Sequence, residues 1–225
     1  EFLNVFLRHF FDPSLRSIIF STLRRHLVNP DAYLHPFAQF CLHFFNYAIC
    51  INNEKLHAIM TELLAIIEDA IIHRPEILTD LSMITPAILS FFLHFPTKEL
   101  LKNTLNFLLH VSFNIDNFTF STDEMLALGN TIRSMENNGV SDQTFSIMLS
   151  LLAGTKISSL STNFAIKNPS YILLIMYISA DDISQTVQFF YRLCRYSIYN
   201  CLQCQIGKLD LLLIEHVKNY PKPFR

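Results

Sequence analysis

Cys201 and Cys204 form a Cys-x-x-Cys pair, with Cys194 seven residues upstream and His216 further on. A structural zinc site takes four converging N or S ligands, usually as two close pairs, and this sequence supplies one pair and no second histidine beside His216. Helical phase offers another reading. Ile183, Val187, Phe190, Cys194, Ser197, Cys201 and Cys204 follow one another at alternating steps of four and three, which draws one continuous stripe along one long helix. On such a stripe the cysteines are expected as small buried hydrophobes rather than ligands.

Glu54-x-x-His57 is half of a carboxylate-bridged di-iron arrangement, which needs a second Glu-x-x-His and two further glutamates on facing helices. No second copy exists in the chain. Asp69 and His73 stand four apart on one helical face, where they could form an ion pair, a metal site or a catalytic dyad, and the usual meaning is a helix-stabilising pair. His9, His26, His35, His43, His94 and His110 are scattered without ligand spacing. No nucleophile elbow is present, and the adjacent acids Asp123-Glu124 and Asp181-Asp182 suit the first turns of helices. The expectation is therefore a non-enzyme, with no catalytic, cofactor-binding or metal residues assigned and no cofactor.

The elements that would carry these residues read as helices. Gly129, Gly139, Gly154 and Gly207 are the only glycines, too few and too far apart for a phosphate-cradling loop, and their scarcity suits a chain with few positive-φ positions. Helix starts recur: Asp12-Pro13, Asn29-Pro30, Asn52-Asn53, Pro75, Thr97, Ser121-Thr122, Ser141, Asn168-Pro169 and Asp181. Apolar residues then return every three or four positions, as in Leu56, Ile59, Met60, Leu63, Leu64 and Ile67. Asn138-Gly139, Gly154 and Gly207 mark stops, Pro86 marks a break where a short third helix would enter, and 113–121 and 155–168 read as longer loops. "SYILLIMYISA" at 170–180 reads as a buried helix.

Alternate starts fall near residues 12, 53, 97, 141 and 181, and the intervening ones near 30, 75, 122, 169 and 208. Each series repeats at about 40 to 47 residues, the period of HEAT and armadillo units. The predicted fold is all-α, an armadillo/HEAT-like right-handed superhelix of about five stacked helical hairpins, with residues 1–225 as a single repeat region. An irregular helical bundle is the alternative. The last helix, with Leu209, Leu211, Leu212, Leu213, Ile214 and Val217, has little polar face, and "EFLNVFLRHFF" at the other end is similarly uncapped. Terminal caps of a solenoid need a polar outer face. More protein is therefore expected against both ends, as in a fragment of a larger chain.

Composition restricts the partners. Lys+Arg 17 against Asp+Glu 19 gives a net charge of -2, so no whole-molecule field draws nucleic acid or an anionic membrane. Five cysteines, an odd number without framework spacing, suggest a reducing compartment. The longest uncharged run, Ala32 to Asn53, contains His35, Pro36, Gln39, His43, Asn46 and Asn52, which hydrocarbon would penalise, so no transmembrane segment is expected. Aromatic clusters such as "FAQFCLHFF" and "FFYRLCRY" read as core, with an outward-facing partner groove as the other possibility.

The run Asn200-Cys201-Leu202-Gln203-Cys204, then Gly207 and Leu209-Asp210-Leu211-Leu212-Leu213, resembles the end of the armadillo-like helical region of BEACH-domain proteins (beige/neurobeachin-like), where that region precedes a concanavalin A-like domain. The resemblance implies a scaffold segment of a large cytoplasmic protein concerned with vesicle trafficking or membrane dynamics. It implies binding to other proteins and to flanking domains of the same chain, membrane association only through other domains, and no catalytic residues. A non-repetitive helical regulatory domain, or a helical metal-binding protein or enzyme using Asp69, His73 or the Cys201/Cys204 pair, is the other reading.

Overall fold

The computed structural model describes residues 9, 12–51, 53–115, 120–135, 141–157, 164–178 and 183–219, and among them every regular element is helical. The chain divides into two compact units, Glu1–Ile115 and Asp116–Arg225.

Unit 1 contains α1 (Pro13–Val28), α2 (His35–Cys50), α3 (Glu54–His73), the single turn α4 (Leu78–Leu81), α5 (Thr85–His94) and α6 (Lys98–Asn114), with 3-10 turns at Pro75–Ile77 and Ser82–Ile84 flanking α4. Side-chain caps start α1, α3 and α6 where the sequence places them. Asp12 accepts from the amides of Ser14 and Leu15, Asn53 from Lys55 and Leu56, and Thr97 from Leu100. Packing is alternate: α1 lies on α3 and α3 on α6, while α2 lies on α5 and on the short turns before it. Phe44, Phe45, Leu63, Ile67, Phe91 and Phe107 are wholly buried between them. Pro86 sits in the first turn of α5, where a missing amide costs nothing, and the break expected there is the 3-10 turn that ends at Ile84.

The start expected at Asn29-Pro30 is corrected. Asn29 follows the last residue of α1 and its side-chain oxygen accepts from the Asp31 amide, closing a turn, so α2 begins only at His35. The reason lies far away in sequence. Arg74 donates to the carbonyls of Asn29 and Pro30, the latter at 2.9 Å, and its Nε donates to Glu76 at 3.0 Å. One guanidinium thus takes up carbonyls released at the end of α1 and fixes the corner after α3.

The run Pro75–His94 is long and apolar enough to cross a membrane by length and composition, with mean hydropathy 1.5 and 56% of the window buried. It is divided into short turns before α5. Among the described residues of the Ala32–Asn53 run, the helix spans His35 to Cys50 and buries Ala38, Cys41, Phe44, Phe45 and Ala48.

Unit 2 contains α7 (Thr122–Met135), α8 (Asp142–Ala153), α9 (Tyr171–Ile178), α10 (Ile183–Cys194), α11 (Ile198–Ile206) and α12 (Leu209–Asn219). The apolar α9 is its hub, touching α7, α8, α10 and α12, with Tyr171, Ile172, Leu174 and Ile175 buried. Ser121 and Glu124 cap α7 reciprocally: the Glu124 carboxylate accepts from the Ser121 amide at 2.8 Å and Ser121 Oγ accepts from the Glu124 amide at 3.2 Å. α8 ends at Gly154, whose φ of +62° is a left-handed conformation that favours glycine. Its last carbonyls are met from a distance, Leu151 by the Asn168 side-chain amide at 2.9 Å and Leu152 by the Lys167 and Asn168 backbone amides. Asn168 therefore ties α8 down instead of capping α9, a correction to the sequence reading. The stop at Asn138-Gly139 and the start at Asp181 lie outside the described residues.

Arg74→Ala should lower unfolding stability by about 1–2 kcal/mol, since it removes the charged donor shared by the Asn29 and Pro30 carbonyls and leaves them to water. Arg74→Lys should recover little of this, because an ammonium does not reproduce the fork of donors. Urea denaturation of the three proteins measures both effects.

Candidate functional site

The cysteine-bearing segment is a corner, not a long helix. α10 ends at Cys194, Arg195 and Tyr196 turn, and Ser197 opens α11 in an extended conformation with its side chain accepting from the Asn200 amide at 3.1 Å. This break overturns the continuous stripe expected from 183 to 204. After it the phase restarts, so that Asn200 and Cys204 face inward while Cys201 is exposed and Cys194 is half-buried.

Asn200 holds the corner. It is 4% exposed, accepts from the Ile166 amide, and donates to the carbonyls of Phe164 and Leu193, each at 2.9 Å. A buried amide that satisfies three backbone groups from two segments fixes their relation. The sequence reading names Asn200 only as the first residue of the resembling run and gives it no buried position. Its only local sign is a polar residue on the inward phase once Ser197 is taken as a cap.

Gly207 ends α11 with φ -73°, an ordinary value. A Cβ there would lie 2.6 Å from Ile172 Cδ1 and 2.7 Å from the Pro169 carbonyl oxygen, so glycine is required by the close approach of α9. The left-handed residue at this turn is Lys208, with φ 56°.

The break also turns an apolar stripe outward. Ile198, Leu202 and Ile206 are four apart along α11, hence on one face, and are 82%, 53% and 62% exposed. Tyr196 beside them is 86% exposed, and Leu211 and Ile214 of α12 are also exposed. Exposed apolar groups gathered on one helix mark contact surfaces in soluble proteins.

Unit 1 has a groove of about 760 Å³ between α3 and the α5–α6 corner, lined by Glu54, His57, Glu62, Phe91, Phe95 and Glu99 among others. The Glu54-x-x-His57 pair lies here. His57 packs against Phe95 with ring centroids 3.7 Å apart, and its Nε2 is buried without a hydrogen-bond partner. Glu62 pairs with Arg16 of α1 at 3.7 Å.

Asp69 and His73 are brought together only loosely. His73 Nδ1 lies 2.7 Å from the Asp69 backbone carbonyl and 3.7 Å from its carboxylate, with both side chains over half exposed. His94 makes the same contact with the Ser90 carbonyl at 2.7 Å, so both histidines close the last turn of a helix. The side chain of His216 and both of Asp181-Asp182 lie outside the described residues. Among the described residues, no group of three or more His, Cys, Asp or Glu side chains is placed to share a metal ion.

Glu68 on α3 is the charged group that burial perturbs most clearly. Burial pushes its carboxyl from 4.5 up to about 8, while a hydrogen bond from Asn106 and the Lys102 ammonium act in the other direction. One oxygen, Oε1, is buried without a partner. Glu68 follows Leu64 by one helical turn, so the apolar pattern around it hides a polar inward position.

Comparison of the chain with family models, with curated proteins and with solved structures finds no match.

Two expectations follow from these positions. Gly207→Ala should cost about 1–3 kcal/mol through overpacking against α9, whereas Lys208→Gly should add about 0.5–1 kcal/mol by relieving the left-handed conformation; thermal melts of the two variants should shift in opposite directions. For Glu68, the folded chain keeps a proton that the unfolded chain releases above 4.5, so its contribution is full below that pH and is lost as pH rises through about 8. Glu68→Gln should abolish that fall and raise stability at pH 8 by on the order of a few kcal/mol, read from denaturation curves at pH 5 and pH 8.5.

Proposed function

We propose that the chain is a non-catalytic, armadillo/HEAT-like helical scaffold that binds other proteins. The observation that carries this reading is the exposed stripe Ile198, Leu202 and Ile206 on α11, together with the exposed Leu211 and Ile214 of α12. A rigid helix with one apolar face and satisfied ends is suited to a partner's groove or to another helical layer. The alternate packing of α1, α3 and α6 in unit 1, with α2 on α5, supports the repeat reading, because stacked helical pairs bury a shared core this way.

The BEACH-domain reading rests on the resemblance at Asn200–Cys204, Gly207 and Leu209–Leu213. In this proposal the segment works in the cytoplasm within a larger trafficking protein, and other domains bring it to membranes. The full reading frame tests that part, since a BEACH domain downstream is required by it.

The scaffold reading is tested by affinity purification of the chain beside an Ile198→Ser/Leu202→Ser/Ile206→Ser variant. Stoichiometric partners should be recovered with the first and lost with the second, at unchanged circular dichroism and melting temperature. Retention of the same partners by the folded variant would refute the role of this stripe. Stoichiometric zinc or iron that is lost on Cys201→Ala would refute the non-catalytic scaffold itself.

A further inference from the structure

In one continuous helix, residues 194 and 204 would be separated by about 15 Å of rise. The turn at Arg195-Tyr196 and the cap at Ser197 fold α11 back, so that Cys194 Sγ and Cys204 Sγ lie 3.5 Å apart. Cys201, exposed on α11, donates its thiol to the Cys194 carbonyl at 3.4 Å. Three free thiols thus meet at one corner, and the closest two sit on different helices. A disulfide has an S–S length of about 2.05 Å, so the pair must close by about 1.5 Å, within reach of side-chain rotation.

We propose that Cys194 and Cys204 are a peroxide-oxidisable pair that closes to a reversible disulfide joining α10 to α11. Cys194, half-buried, is the accessible member, and Cys204 at 6% exposure is the resolving one. The Cys194 thiolate attacks one oxygen of hydrogen peroxide, the O–O bond breaks, and the departing hydroxide takes a proton to leave as water. Cys204 then attacks the resulting sulfenic sulfur, the S–O bond breaks, and a second water leaves. Two thiols and one peroxide become one disulfide and two waters. The bond is independent of the scaffold reading, although it would hold fixed the helix that carries the exposed stripe.

Burial pushes the Cys204 thiol up to about 12, with the neighbouring Cys194 and Cys201 adding to the rise, and burial raises Cys194 as well. Closure should therefore accelerate as pH is raised from neutrality, because the thiolate is the attacking species.

The test treats the folded chain with hydrogen peroxide in a Cys50→Ser background, which removes the exposed thiol of unit 1. Trypsin should then give peptide 193–195 linked to peptide 196–208, separable by dithiothreitol, with faster linkage at pH 9 than at pH 7. Cys201→Ser should retain the link and Cys194→Ser should lose it. Persistence of all four remaining thiols, a link that fails in Cys201→Ser, or conversion only to sulfinic and sulfonic acids would each overturn the proposal.

Discussion

Backbone groups released at helix ends have to find partners, and in a chain made of short helices this requirement governs the corners. Capping side chains meet the amides at the starts: Asp12, Asn53, Thr97, Ser121, Ser141 and Ser197 each accept from their own first turn. Carbonyls at the ends are harder to satisfy locally, and distant polar side chains take them. Arg74 serves the end of α1, Asn168 the end of α8, and Asn200 the end of α10.

These three residues connect local structure to tertiary structure. Each is polar, each reaches a segment remote from its own first turn, and each fixes an angle between helices that apolar packing alone would leave adjustable. Asn200 has the largest consequence for what the surface exposes. By holding Ile166 and Phe164 on one side and Leu193 on the other, it keeps α11 in the phase that buries Cys204 and exposes Ile198, Leu202 and Ile206. The thiol pair and the apolar stripe are two outcomes of the same corner.

The unit 1 groove has a different origin. Its walls are α3 and the α5–α6 corner, and its aromatic floor is continuous with the core through Phe91, which is wholly buried. His57 fills part of it by stacking on Phe95. A motif that reads in sequence as half a metal site is thus a wall residue beside an aromatic ring. Asp69 and His73 similarly resolve into a helix end, because the His73 ring meets a backbone carbonyl more closely than a carboxylate.

The sequence by itself determined the all-helical class, the starts at Asp12, Asn53, Thr97 and Ser141, the stop at Gly154, the break at Pro86 and the buried character of α9, because caps, proline and apolar periodicity act within a few residues. Tertiary structure alone decided where α10 stops. Steps of four and three continue through Ser197 as smoothly as they would in one helix, and a serine serves equally as an interior residue or a cap. What selects the cap is the pairing of Asn200 with a segment more than thirty residues away. The same holds for Asn29, turned by Arg74, for Gly207, required by Ile172 rather than by its own φ, and for Glu68, whose burial depends on α6. Short-range pattern records which face of a helix is apolar, whereas the length of that helix and the neighbour it meets are set by contacts between segments distant in the chain.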